Sequence, residues 1–345
     1  MVEAICKEIE LRKDFFGSAA PLQTLYFGGG TPGLLSGAEL APIFESLAKH
    51  FSFADNPEIT LEANPDDLSP ERLREFKNLG VNRLSIGIQS FREEDLRLLR
   101  RVHDARQARK CVENARSLGF DDLSIDLIYG IPGLTAEAWA QNLEIALQLQ
   151  LPHISAYALT VEPRTLLAGQ VAKKQLQMPE DPQFEQQFFA LIDSLCDAGY
   201  AHYEISNFAL PGRQSRHNSS YWKGEAYLGL GPSAHSFQGA TRSWNLKPNT
   251  RYLHEVEMGM IPVEDQERLS NEDKINEAIM TRLRLQEGIH LPSFEEEFGY
   301  PLGTHAAAAI QEFRQKGWLK SNPEAIVLSR EGKMLSDHII AELFV

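Results

Sequence analysis

Cysteine is nearly absent: the 345 residues contain three, Cys6, Cys111 and Cys196. They lie far apart and match neither a metal-ligand spacing nor a redox pair. An odd, sparse set also excludes a disulfide framework, so the chain reads as cytoplasmic with free thiols. Cys111 and Cys196 fall in apolar helical patterns and are expected to be buried core thiols. Long hydrophobic runs are missing too. No run of about eighteen apolar residues occurs, so no transmembrane segment is expected. The opening Met1-Val2-Glu3-Ala4-Ile5 lacks the apolar core of a signal peptide. Positive charge is in deficit: 34 Lys and Arg stand against 48 Asp and Glu, a net charge of -14. That balance argues against nucleic acid as a partner. A hydrophobic share of 43% excludes disorder over most of the length.

Several signatures of common chemistry are also absent. There is no GK[ST] phosphate loop, no dinucleotide fingerprint, no HExxH zinc helix and no GxSxG elbow. What is present is alternation. Short β-branched runs at Leu22–Phe27, Glu58–Glu62, Arg83–Ile88, Leu123–Tyr129 and His153–Ala158 are separated by amphipathic stretches near 37–50, 70–79, 93–118 and 135–149. Strand–helix–strand alternation predicts parallel pairing with right-handed crossovers. Almost continuously apolar strands such as Leu123–Tyr129 fit burial on both faces. Pattern alone favours a β/α barrel over a doubly wound sheet. Beyond residue 160 the pattern loosens. A long helix is expected near 182–198 and a strand near Tyr203–Ser206. Helices are expected near 270–286, 292–298 and 304–316. The tail from Trp318 reads as a hairpin closing into a final helix, which makes a small winged-helix-like module. Helical spacing begins at Val2, with no capping residue ahead of it.

Polar residues cluster at the strand ends, where a β/α barrel gathers its ligand site. Gly28-Gly29-Gly30-Thr31-Pro32 would let a ligand approach the backbone and leave N–H groups free; a tight turn is the plain alternative. Glu62, Gln89, Arg101 and Asp126 are the polar groups placed near that mouth. Asp126 interrupts an apolar strand and needs a hydrogen-bond partner or a cation. A structural ion pair or cap is the alternative for each. His217-Asn218-Ser219-Ser220-Tyr221-Trp222 sets an imidazole beside two large aromatics, a plausible porphyrin site; the alternative is a loop whose rings pack on the barrel. His235 in a Gly-rich turn stays open between the two. The other histidines form no spaced pair and read as structural or surface groups.

Taken in order, GGGTP, EANPDDL, RLSIGIQSF, LRRVHD, SIDLIYGIPG, ISAYALTVEP, HNSSYW and GLGPSAHSF resemble the radical S-adenosylmethionine heme chaperones (the HemW family). That family is related to oxygen-independent coproporphyrinogen III oxidase. The likeness runs through roughly residues 20–340. It implies an α/β fold: a partial (β/α)6-type radical SAM barrel lacking its first strand over 1–240, with a helical, winged-helix-like domain over 241–345. It implies S-adenosylmethionine at Gly29, Gly30, Thr31, Glu62, Gln89, Arg101 and Asp126. It implies heme at His217, Tyr221 and Trp222, with His217 as the iron ligand. The implied partners are heme and acceptor hemoproteins such as membrane respiratory proteins. The family also ligates a [4Fe-4S] cluster through Cys-x3-Cys-x2-Cys just after its first strand. No such motif occurs here, so the expectation is a chain that starts downstream of it, or a natural form that has lost the cluster, and that performs no turnover. The rival readings are the porphyrin-biosynthetic oxidase, a cluster-free porphyrin-binding module, and a β/α-barrel enzyme of unrelated chemistry.

Overall fold

The structure, a computed structural model, describes residues 1–17 and 21–345. Seven strands form the main sheet: β1 (Leu22–Phe27), β2 (Phe53–Ala63), β3 (Arg83–Gln89), β4 (Asp122–Tyr129), β5 (His153–Ala158), β6 (Ala201–His202) and β7 (Asn207–Ala209). Their order is β1-β2-β3-β4-β5-β7-β6. Strands β2 to β5 pair in parallel, and β7 and β6 add antiparallel at the end. The expected α/β class with parallel strands is therefore present. Two expected boundaries move. Strand β2 begins several residues earlier than the apolar run that marks it, because its polar first half still pairs. The strand expected at Tyr203–Ser206 is instead the bend between β6 and β7.

The chain divides into two compact units. One comprises residues 27–34 and 60–214, the other residues 1–26, 35–59 and 215–345. In the first, helices Pro70–Asn78, Ala105–Ser117 and Ala136–Gln148 connect the successive parallel strands. Their apolar faces bury Leu73, Phe76, Val112, Trp139 and Leu143. Each starts on a polar cap: Ser69, Asp104 and Thr135 accept from backbone N–H groups of the first turn. The single helix expected over 93–118 is two, Glu93–Leu98 and Ala105–Ser117. Arg100 takes the left-handed conformation (φ 55°), and Asp104 with Gln107 forms a capping box that starts the second helix. The break matters because Arg101 and His103 lie in it. Cys111 is buried, as expected, but Cys196 is exposed. It directly follows buried Leu195 on helix Asp181–Asp197, and one residue of helix turns the side chain about 100° away from the core.

The second unit opens with helix Val2–Leu11, whose N-cap position is Met1 without a side-chain cap. The buried Glu8 carboxylate of this helix anchors three distant segments. It accepts from the Tyr252 hydroxyl at 2.6 Å, the Asn245 amide at 2.7 Å and the Gly231 N–H at 2.8 Å. Arg12 lies 3.3 Å away and donates onward to Ser236 and Asn245, each at 3.0 Å. These bonds hold the helix against β8 (His235–Gln238), β9 (Thr241–Asn245) and helix Asn249–Glu257. A further strand, β10 (Val263–Arg268), pairs with β9.

The expected C-terminal module forms from helices Asn271–Leu283, Leu291–Phe298 and Ala307–Gln315. Its hairpin closes through a Leu319–Leu328 bridge, and β12 (Ala325–Ile326) also pairs with β11 (Ile289–His290). The tail ends in two short helices, Arg330–Met334 and Ser336–Glu342, rather than one.

Replacing Glu8 strips a buried arginine of its countercharge. Glu8→Ala is expected to cost about 3–5 kcal/mol, read as a lower urea midpoint. The paired change Glu8→Met with Arg12→Met should cost distinctly less. Equal losses in both variants would show that charge pairing is not what the network provides.

Candidate functional site

Within the first unit, hydrogen bonds and charges link several of the polar strand ends. The GGGTP turn follows β1, and Gly28, Gly29 and Gly30 are exposed. Gly29 adopts φ 93°, and a Cβ built on Gly29 or Gly30 would meet no atom within 4 Å. The turn thus presents open backbone. The Gly29 N–H donates to Glu62 Oε2 at 3.2 Å, which joins this turn to the end of β2. Gly33, one step on, is different: a Cβ there would sit 2.8 Å from that of Ala63. Only glycine lets the loop lie this close to β2.

Strand β3 ends in a distortion. Its register with β4 shifts between Ile86 and Gln89, and buried Gln89 has φ 69°. A non-glycine residue in this conformation carries about 1–3 kcal/mol of strain, and such strain concentrates at functional sites. A Cβ on Gly87 would lie 2.8 Å from Gln89 Nε2 and 3.4 Å from Asn64 Oδ1. Arg101, in the break between the two helices, donates to that same Asn64 oxygen at 3.0 Å. Burial draws the Arg101 guanidinium below its usual range, while the charges of Asp126 and Asp66 push it back up.

Asp126 stands on β4 beside Glu62. Ser85 Oγ approaches it at 3.4 Å, a long bond. Burial, with the negative charge of Glu62 beside it, pushes its carboxyl up to about 6, although Ser155, Ser85 and Arg83 oppose the shift. A pair of carboxylates, one hard to ionise, suits a cationic or hydroxyl-rich ligand. Sequence reasoning missed Asn64, Ser85 and Ser155. Asn64 stands within EANP and Ser85 within RLSIG, but a small polar residue on a strand gives no signal until its cross-strand neighbour is known.

Within the second unit, HNSSYW forms the short helix Arg216–Trp222, capped by Ser215. Its start is held by buried Glu58 of β2, which accepts from the N–H groups of Arg216 and His217 at 2.8 and 2.9 Å. The His217 ring stacks on Tyr26, with centroids 4.7 Å apart and planes 15° from parallel. Nδ1 lies 2.8 Å from Thr24 Oγ1 and Nε2 lies 3.1 Å from the Tyr221 hydroxyl. Burial lowers the imidazole to about 4, so it is neutral at pH 7. Tyr221 meets Tyr227 edge-on at 4.6 Å and is 40% exposed. The Trp222 indole N–H is buried and has no hydrogen-bond partner among the described residues. A neutral imidazole among aromatic rings is a competent iron ligand. Glu58, Thr24 and Tyr26 escaped sequence reasoning because each lies over 150 positions from His217. Among the other histidines, His103 and His153 are buried and hydrogen-bonded, which is a structural use. His235 is exposed, 6.0 Å from the Trp244 ring.

This fold is that of radical S-adenosylmethionine proteins. The Radical SAM superfamily model matches residues 6–146 and the HemN C-terminal domain model matches residues 269–335. The solved structure of coproporphyrinogen III oxidase (HemN) from Escherichia coli, a radical SAM enzyme, superposes with a TM-score of 0.85 at 24% identity. The match covers 99% of this chain and 82% of that one. Among curated proteins, heme chaperone HemW from Bacillus subtilis is 35% identical over 92% of this chain and 84% of its own length. Heme chaperone HemW from Mycobacterium tuberculosis is 34% identical, covering 94% and 81%. The chain belongs to the HemW-type radical SAM family.

That class implies S-adenosylmethionine and a [4Fe-4S] cluster. The open glycine turn and the Glu62–Asp126 acid pair fit the first. The thiols do not fit the second. Cys111 is buried with its thiol pushed up to about 12 by burial, Cys196 is exposed and Cys6 is partly buried. Among the described residues no three His, Cys, Asp or Glu side chains come together as a metal site.

Asp126 also sets a pH dependence. Its native carboxyl titrates above the unfolded value of about 3.9, so between about pH 4 and 6 the native state holds more protons. Stability therefore falls as pH rises through that window and levels off above it. Asp126→Asn is expected to remove this component and raise the melting temperature at pH 7. A variant whose pH profile parallels that of the wild type would contradict the assignment.

Proposed function

We propose that this chain is a heme-binding chaperone that carries heme and passes it to acceptor hemoproteins, membrane respiratory proteins among them. The single observation that supports this best is the His217 cluster. The HNSSYW helix offers a neutral imidazole, stacked on Tyr26 and edge-on to Tyr221, in a chain whose curated relatives bear the name heme chaperone. His217 is the proposed iron ligand, and Tyr221 and Trp222 the proposed cover of the porphyrin. The Trp222 N–H, buried without an acceptor among the described residues, would gain one from a porphyrin carboxylate. Residues 241–345 are proposed as the separate helical, winged-helix-like domain. The chain is proposed to work in the cytoplasm.

The strand-end cluster is proposed to hold S-adenosylmethionine. Gly29, Gly30 and Thr31 would lie along the amino-acid portion, with the carboxylates of Glu62 and Asp126 facing its ammonium and hydroxyl groups. Gln89 and Arg101 would complete the wall. When bound with a reduced cluster, this cofactor supplies radical chemistry. The thiols of this chain do not fit such a cluster, and the proposed role is binding and transfer of heme.

A second reading is the related oxidase, favoured by the overall likeness to HemN. The likeness is one of fold, and HNSSYW points to the chaperone instead. Titration of hemin into the purified chain tests the choice. A saturable Soret band of a histidine-ligated heme is expected, with loss of that band in His217→Ala. Unchanged titration of His217→Ala would remove this residue as the ligand. Absence of any saturable binding would remove the chaperone reading for this chain.

A further inference from the structure

The His217 imidazole is aimed before any ligand arrives, and its two nitrogens are not equivalent. Its backbone is pinned by Glu58 and its ring lies flat on Tyr26. Nδ1 faces Thr24 Oγ1, on β1 and partly buried, at 2.8 Å. Nε2 faces the hydroxyl of Tyr221, the more exposed neighbour, at 3.1 Å. A neutral imidazole carries one N–H, and its other nitrogen keeps the lone pair a metal needs. Which nitrogen is protonated is set by the partner of each.

We propose that Thr24 is a positioning residue that accepts the Nδ1–H of His217 and so leaves the lone pair on Nε2, and that the Tyr221 hydroxyl is a displaceable cap on that nitrogen. In the ligand-free chain the Tyr221 O–H donates to Nε2. When heme binds, that hydrogen bond breaks, the hydroxyl turns to water, and the Nε2 lone pair forms the bond to iron. No proton leaves the imidazole, because Nδ1–H stays on Thr24. The geometry favours Tyr221 rather than Thr24 as the partner that gives way. Tyr221 sits one turn along the same helix as His217 and is 40% exposed, so its hydroxyl has water within reach while its ring stays beside the site. Thr24 is held in a strand and is partly buried. Its branched side chain has few rotamers, which keeps the hydroxyl in place. This inference rests on the heme reading above and adds which atom binds and what releases it.

The test combines hemin titration of the full chain with 15N-histidine NMR of the ligand-free protein. In the free wild type, His217 should show Nδ1 protonated and Nε2 unprotonated. Thr24→Val, nearly isosteric and equally suited to a strand, should lose this bias and weaken hemin binding by about 10–100-fold, the usual cost of removing such a partner. Thr24→Ser should restore both. Tyr221→Phe keeps the ring but removes the cap, so it should tighten binding about fivefold, the worth of one hydrogen bond. A free His217 protonated on Nε2, or a Thr24→Val variant that titrates like wild type, overturns the role of Thr24. A Tyr221→Phe variant that binds no tighter overturns the cap. His217→Ala separates the two levels. If it binds hemin as wild type does, the heme site itself is wrong. If it loses binding while Thr24→Val does not, only the orientation is wrong.

Discussion

A carboxylate taken out of water must be given donors, and that constraint runs through both units of this structure. Glu8 is given a hydroxyl, an amide, a backbone N–H and a guanidinium. Glu58 is given two backbone N–H groups and the Ser215 hydroxyl. Glu204 takes the Ser206 N–H and the Asn207 amide. Glu8 and Glu58 thereby join segments that are distant in sequence, so satisfying the charge and closing the fold are one event, while Glu204 closes the local bend between β6 and β7. Asp126 is the contrast. It has the Ser85 hydroxyl at a long 3.4 Å and a like charge beside it. The first group organises the protein; the last is left with bonding capacity to spend on a ligand.

The candidate cofactor cluster follows from where parallel strands stop. Glu62, Gln89 and Asp126 come from three successive strands whose registers put them on one end of the sheet. Two local devices complete it. The bulge at Gln89 re-aims a side chain that regular pairing would send elsewhere. The helix break at Arg100 lets Arg101 reach back to Asn64. The His217 cluster is built differently: a short helix, too short to be stable by itself, is held by Glu58 at its start and by a tyrosine stack along its side.

Much of this was legible in the residue order. Period-two and period-3.6 patterns locate the parallel strands and their helices, because burial on the two faces of a sheet leaves few other solutions. The ordered motifs pick out the residues that meet at the strand ends, since a motif between a strand and a helix can only lie at that end. The errors have a common physical origin. The helix expected over 93–118 ignores the capping box at Asp104, which competes with an unbroken apolar stripe. Cys196 is placed inside by its apolar neighbours, but one step past Leu195 the helix turns it outward.

Composition and order by themselves determined the α/β class, because it depends on periodicities within a few tens of residues, and they marked the strand ends and HNSSYW as candidates. The tertiary structure alone decided how the candidate groups are tuned. That Asp126 is hard to ionise depends on its burial and on the charge of Glu62 on a neighbouring strand. That His217 is neutral depends on burial, and that its ring is fixed depends on Thr24 and Tyr26, nearly two hundred residues away in sequence. Protonation and orientation are properties of a side chain's surroundings, and those exist only once distant segments have packed.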